Sequence, residues 1–315
     1  MSAVDLLKKD NIEKDKKLQQ VLQAGNQVIL DKEREIQLCL ACLLSQGHLL
    51  IEDRPGMGKT TLVKTLAKLL GLESQRIQFT NDLLPADILG TTVFNQQTRE
   101  FEFHKGPIFA NFILADEVNR ATPKTQSACL QAMEEGSVSM DGQLYTLPEP
   151  FFLVATQNPQ ENIGTFPLPE SQIDRFLMRI ELGLPSREAE RRILTGDQRS
   201  HMIEDLKPLM SPEDLKNWFN KVEQVHMSDG ILDYLQDVIE KARTVANGVS
   251  PRAAKDLHRV SKAWALIEGR DFVIPEDLQA VTVSVLNHRL KADNGHSQTS
   301  GFELAREIIQ SVPVK

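Results

Sequence analysis

The stretch EDRPGMGKT, Glu52 to Thr60, falls one letter short of the phosphate-binding pattern G-x-x-x-x-G-K-[ST]. Gly58, Lys59 and Thr60 close the pattern, but Asp53 stands where its first glycine belongs. A carboxylate beside a polyphosphate is an unfavourable choice, so the reading of the fold turns on the flanks. HLLI, residues 48–51, reads as a buried strand, and residues 61–70 read as a helix with apolar positions at helical spacing. Strand, glycine-rich turn and helix is the context the motif requires. Backbone N–H groups near Gly56, Gly58 and Lys59 are expected to cradle phosphates, and the helix N-terminus adds partial positive charge. Lys59 is expected to reach the β- and γ-phosphates of ATP, and Thr60 to ligate Mg²⁺. Pro55, Gly56, Met57, Gly58, Lys59, Thr60 and Thr61 form the expected nucleotide-binding set. The first motif position only turns the chain away from the strand. Aspartate tolerates left-handed backbone there better than most residues, and its side chain is expected to point away from the nucleotide, towards Arg54.

Three further elements line up behind the loop. FILADE, residues 112–117, is an apolar strand ending in Asp116 and Glu117. The first acid can hold the Mg²⁺ shell, and the second can polarise water for attack on the γ-phosphate. FLVATQNP, residues 152–159, is a second such strand, ending in Asn158, a neutral amide able to orient water. The third element is a pair of arginines: Arg175 in SQIDRFL, and Arg252 just inside the helix start Ser250-Pro251. A cation in a first turn opposes the helix dipole by about 0.3–1 kcal/mol, which hints at an anion nearby.

Strands at residues 48–51, 76–79, 112–115 and 152–155 alternate with helices, the mark of a parallel sheet covered by helices. GLPS, Gly183 to Ser186, reads as a boundary, and helices follow around 187–196, 212–225, 229–246, 251–268 and 275–290. Serine caps followed by proline at 211–212 and 250–251, and acids after Pro275, mark their starts. Residues 291–300 read as a flexible loop. The expected organisation is therefore an N-terminal helical extension over 1–25, an α/β core over 26–185 and an all-α domain over 186–315.

The 315 residues carry a net charge of −8 with 41% apolar residues, ordinary for a soluble globular chain and unlike a protein that lives on nucleic acid. The charged start, MSAVDLLKKD, does not read as a signal peptide, and none is expected in this stretch. The longest apolar run, Leu38 to Leu44, is far short of the roughly 18 residues of a membrane span, so the expected compartment is cytoplasmic. Cys39 and Cys42 share the apolar face of a helix without two further ligands at zinc spacing, and are expected to be packed in the core.

This order of motifs resembles an AAA+ ATPase, and the wording is closer still to the MoxR family. The matching segments are EDRPGMGKTTLVKTLA, LADEVNRATPKTQSACLQAMEEGSV, VATQNP, FPLPESQIDRF, GVSPRA and LIEGRDFVIPEDLQAVTVSVLNHRL. Members of that family often carry E-D-x-P-G at the loop, so the resemblance makes Asp53 a family trait. It implies a P-loop AAA+ core with a helical lid. Lys59 and Thr60 match Walker A, Asp116 and Glu117 Walker B, Asn158 sensor 1, Arg175 an arginine finger reaching a neighbouring subunit's nucleotide, and Arg252 sensor 2 on the lid. It further implies hexameric rings, partners bearing a von Willebrand A domain, and chaperone action on client proteins. A helix-2 insert is expected at 93–103 and a hairpin at 136–147, where Asp141-Gly142 is a strong turn signal. The chain departs from the family at VILDKE, Val28 to Glu33, where members often carry V-V-G-Q, so the adenine contacts are left unassigned.

Rival readings are a nucleic-acid motor, a small-molecule kinase and a nucleotide-gated scaffold. The hairpin tip MDGQ offers no Lys or Arg to grip phosphates, against the first. Paired acids with a distant arginine suit water activation better than transfer to a metabolite. An intact Glu117 argues against a scaffold without turnover.

Overall fold

The computed structural model describes residues 17–159, 164–195, 199–247, 249–292 and 300–314. Its strands up to residue 180 are β1 (Leu49–Glu52), β2 (Ser74–Gln78), β3 (Gly90–Asn95), β4 (Glu100–Lys105), β5 (Phe112–Asp116), β6 (Ser137–Met140), β7 (Gln143–Thr146), β8 (Phe152–Gln157) and β9 (Met178–Ile180). Five of them form one parallel sheet in the order β2-β5-β8-β1-β9. The first strand is thus inserted between later ones, which makes its carboxyl end the place where the order reverses and ligands sit in open α/β sheets.

Alternation along the inner strands divides the core in two. Leu49, Ile51, Phe112, Leu114, Phe152 and Val154 face one cluster; Leu50, Ile113, Ala115, Leu153 and Ala155 face the other. The first cluster is continuous with helices Glu33–Leu44, Lys59–Leu69 and the C-terminal helices; the second is roofed by helix Pro123–Glu135. Both faces are covered, so β5 and the first five residues of β8 are buried throughout. Edge strand β2 is polar except at Ile77, and starts two residues before the expected 76. Strand β9, three residues with Arg179 at its centre, carries no pattern and was not expected from the sequence.

The two expected hairpins form as β3–β4 and β6–β7, the second turning at Asp141-Gly142, both with positive φ. Phe103 and Tyr145 stack across them with ring centroids 4.1 Å apart. The helices Arg187–Leu194, Pro212–Gln224, Asp229–Val245, Pro251–Ile267 and Pro275–Leu286 fall at or within the expected ranges. The serine caps hold: Ser211 Oγ accepts from Asp214 N, and Ser250 Oγ from Ala253 N. Helices Arg199–Asp205 and Gly301–Ser311 are additional. Part of the expected loop at 291–300 is corrected: Lys291–Ala292 pairs antiparallel with Ala246–Asn247, while 293–299 lie outside the described residues.

Residues 1–16 of the expected extension also lie outside them. From 17 to 28 the chain is a helix, running past the expected end at 25. It packs on the C-terminal helices, with Lys17 paired to Asp214 at 3.0 Å and Gln19 donating to the Ile267 carbonyl. Cys39 and Cys42 are buried in the core, and burial pushes both thiols up, away from reactivity.

Candidate active site

The loop after β1 is shaped by its glycines. Gly56 and Gly58 have φ of 83° and 87°, in the left-handed region that side chains resist. A Cβ on either would meet nothing within 4 Å, so backbone angle, and not crowding by the protein, demands glycine here. The open space lies at the N-terminus of helix Lys59–Leu69, where backbone N–H groups are unpaired by the helix itself. Lys59 is buried and donates from Nζ to the Asp53 carbonyl at 2.8 Å. Desolvation lowers its pKa, against the opposing pull of Asp116, Asp53 and Glu117, which places all three carboxylates within electrostatic reach of the ammonium. Thr60 and Thr61 follow in the first turn, half-buried; Met57 packs against the core, and Pro55 is exposed.

Asp53 does not take the left-handed backbone expected of it, and its carboxylate meets Arg54 at the backbone N–H. Its carboxylate turns away from the loop and accepts three backbone N–H groups: Arg54 at 2.8 Å, Leu182 at 2.8 Å and Gly183 at 2.7 Å. The loop is thereby tied to the segment leaving β9.

At the carboxyl end of β5, Asp116 is buried and accepts from Thr156 Oγ1 at 2.5 Å and from Arg76 Nη2 at 2.6 Å. Glu117 is the left-handed residue of the site, at φ 56° and ψ 49°. Non-glycine residues hold such angles only where neighbours over-determine them. Here Thr156 is that neighbour, since its hydroxyl accepts from Glu117 N at 2.9 Å while donating to Asp116. The Glu117 carboxylate takes Gln78 Nε2 at 3.2 Å and pairs with Arg120 at 3.4 Å. Gln126, fully buried, donates to the carbonyls of Val118, Ala121 and Phe166, pinning the turn after Glu117. Asn158 is buried just beyond β8, on the strand between β5 and β1.

The structure thus gathers Lys59, Thr60, Asp116, Glu117 and Asn158 at the carboxyl ends of three adjacent strands. The hydroxyl of Thr60 and the carboxylate of Asp116 are oxygen donors of the kind a magnesium ion takes. Arg175 and Arg252 are not brought there. Arg175 precedes β9, where Leu177 N donates to the His48 carbonyl at the start of β1, and the Arg252 charge is felt at His48. The four residues of β1, roughly 13 Å of strand, separate that end from the loop. Both arginines meet one carboxylate, Glu134: Arg175 Nε at 3.0 Å and Arg252 Nη1 at 3.1 Å. Within the single chain, the anion beside the misplaced charge of Arg252 is this carboxylate. Arg76, Gln78, Thr156 and Glu134 were not singled out by the sequence. Arg76 and Gln78 sit two apart on a strand, hence on one face, the only visible signal; Glu134 reads as one acid in a charged helix end.

Two family descriptions match the chain: the ATPase family associated with various cellular activities (AAA) over residues 48–178, and an AAA lid domain over 240–312. The uncharacterized protein YeaC of Bacillus subtilis (strain 168) is 45% identical over 295 residues, covering 92% of each chain. Chaperone MoxR1 of Mycobacterium tuberculosis is 40% identical over 275 residues, covering 84% of this chain and 72% of its own. The chain is a MoxR-family AAA+ ATPase. A crystal structure of a candidate ATPase from Cytophaga hutchinsonii, 35% identical, superposes with a TM-score of 0.90 over 99% of both chains. As a MoxR-family member the protein binds nucleotide and hydrolyses ATP, and it is related to a protein named as a chaperone.

Proposed function

We propose that this MoxR-family ATPase hydrolyses ATP at the cradle Pro55–Thr61 and uses the energy to remodel or mature partner proteins. The observation that carries the assignment is the grouping of Lys59, Asp116 and Glu117 within electrostatic reach of one another beside an open glycine-lined helix start. Lys59 and the loop amides hold the phosphates. A magnesium ion held by Thr60 and Asp116 would supply charge neutralisation at the phosphates. Glu117 takes a proton from the attacking water at its carboxylate, and Asn158 orients that water without adding charge. Binding must move Arg76 off Asp116 and loosen Gln78 and Arg120 from Glu117 before both acids are free to act.

Arg175 and Arg252 serve a second copy. Both stand near the amino end of β1, opposite the end that carries their own cradle, so the nucleotide they reach belongs to a neighbour, in a ring that we take to be a hexamer. The von Willebrand A domain partner and the cytoplasmic setting are proposals resting on the family; among the described residues no helix is long and apolar enough to cross a membrane. A protein client suits the exposed apolar residues Phe94, Phe101 and Leu144 on the two hairpins better than a nucleic acid does.

The test is Glu117→Gln. The variant keeps Lys59 and Asp116, so it binds ATP in a nucleotide titration yet releases phosphate far more slowly than the parent. Near-normal turnover removes Glu117 from its role. Trapped with ATP, the same variant retains bound partners for identification by mass spectrometry.

A further inference from the structure

LNHRL, Leu286 to Leu290, closes the last long helix of the lid and carries three consecutive polar residues that are all buried: Asn287, His288 and Arg289. Burying such groups is unfavourable unless they find partners, and here each residue has at least one on the core segment 174–179, while His288 Nδ1 has none. Asn287 and Arg179 bond reciprocally, Arg179 Nε to Asn287 Oδ1 and Asn287 Nδ2 to the Arg179 carbonyl, both at 2.9 Å. His288 Nε2 meets the Phe176 carbonyl at 3.0 Å. Arg289 takes Asp174 Oδ1 at 2.8 Å, Asp256 Oδ2 at 2.6 Å, and the carbonyls of Val285, Asp174 and Phe176. Only 2% of the Arg289 side chain is exposed.

The two carboxylates it grips are not arbitrary. Asp174 immediately precedes Arg175 in the chain. Asp256 lies four residues after Arg252 on helix Pro251–Ile267, one turn along the same face. Behind the partly exposed pair Arg175 and Arg252 there is therefore a buried cation bound to the neighbour of each. In front, Glu134 takes both. Two like charges would otherwise move apart, and a buried ion pair adds little net stability over an apolar packing of the same shape. What the forked guanidinium does supply is fixed geometry between two elements, which a lysine does not.

We propose that Arg289 is a positioning residue for ATP hydrolysis: through Asp174 and Asp256 it sets Arg175 and Arg252 at one fixed spacing, so that both meet a neighbour's nucleotide together. This rests on the reading of those two arginines given above. Arg289 itself touches no nucleotide. Its effect is on turnover and not on binding, because the cradle lies at the carboxyl ends of the strands and Arg289 is bonded to the segment entering β9 at their other end.

Arg289→Lys keeps the charge and loses the fork. Asp256→Ala leaves Arg289 on Asp174 and on its three carbonyls, so this variant retains the fold if the first does not. Thermal unfolding and circular dichroism identify the folded variants. In these, kcat should fall on the order of 10- to 100-fold, the scale of a small misplacement of a catalytic group, while nucleotide Kd stays within about threefold. Combined with Arg252→Ala, Asp256→Ala should add no further loss, because the side chain to be positioned is gone. The inference is overturned by full turnover in folded Arg289→Lys and Asp256→Ala, by losses that multiply in the double variant, or by a loss confined to nucleotide affinity. Full turnover in Arg175→Ala and Arg252→Ala overturns the underlying reading as well, so the two failures are told apart by which variants stay active.

Discussion

Asp53 shows what the first position of a phosphate loop is for. The residue needs no left-handed angle, and its carboxylate spends its charge on three amides, two of them at the exit from β9. Bonds to a charged acceptor contribute more than neutral ones, although the group is half-exposed and water screens part of the gain. Asp53→Gly should accordingly lower the melting temperature while leaving ATP affinity within tenfold, about 1.4 kcal/mol. A larger change in Kd, in either direction, would mean that the carboxylate senses the nucleotide. The side chains proposed to hold phosphate, metal and water were legible, because strand ends and glycine spacing single out Lys59, Asp116, Glu117 and Asn158. Their supports were not. Thr156 and Glu134 act through distances of 2.5 to 3.1 Å to residues far off in sequence, and a lone threonine or glutamate carries no pattern that predicts such a contact.

Among the elements, β5 and β8 were legible because burial on both faces leaves an uninterrupted apolar run. Strand β9 was not, since an arginine at the middle of three residues breaks any run, and its pairing with β1 is decided by the fold. The signal for helix Gly301–Ser311 was present: Ser300 and Glu303 form a capping box, and Leu304 and Ile308 share a buried face. The connection Asn287 to Arg289 makes its own prediction through His288. Burial first, then the Arg289 and Arg179 charges, hold its pKa well below 6.5. The folded state stays neutral at this ring where the unfolded chain takes a proton. Stability is therefore complete above pH 6.5 and is lost as pH falls below it, with a slope of up to one proton, about 1.4 kcal/mol per pH unit. Asp256, raised chiefly by burial, is common to parent and variant and cancels in the comparison. His288→Gln keeps an N–H donor for the Phe176 carbonyl and does not titrate. Urea unfolding between pH 7 and pH 5 should thus be flatter for the variant than for the parent; equal slopes would show that His288 is not the group that responds.

For the whole molecule, the two arginines lie at the end of the sheet opposite their own cradle, and the proposed action on a neighbour's nucleotide makes a prediction about mixed assemblies. A chain alone holds Lys59, Asp116 and Glu117 together, yet has its arginines on Glu134, a strand length away. Arg175→Ala should then fold and bind ATP but be nearly inactive, by on the order of 10³-fold if it acts as a finger that neutralises transition-state charge. Glu117→Gln should be inactive for a reason inside its own cradle. Mixing the two inactive proteins restores partial turnover, because some interfaces then join an intact Glu117 on the Arg175→Ala chain to an intact Arg175 on the Glu117→Gln chain. Subunit exchange is verified with differently labelled chains before rates are compared. Mixed assemblies without any recovery would mean either that the arginine does not act across the interface or that every cradle in the ring must be competent. Measuring turnover as the wild-type fraction is varied separates these, since the second requires a steep, higher-order dependence and the first a linear one. Full activity of Arg175→Ala by itself would be more damaging, because no finger would then be needed at that position.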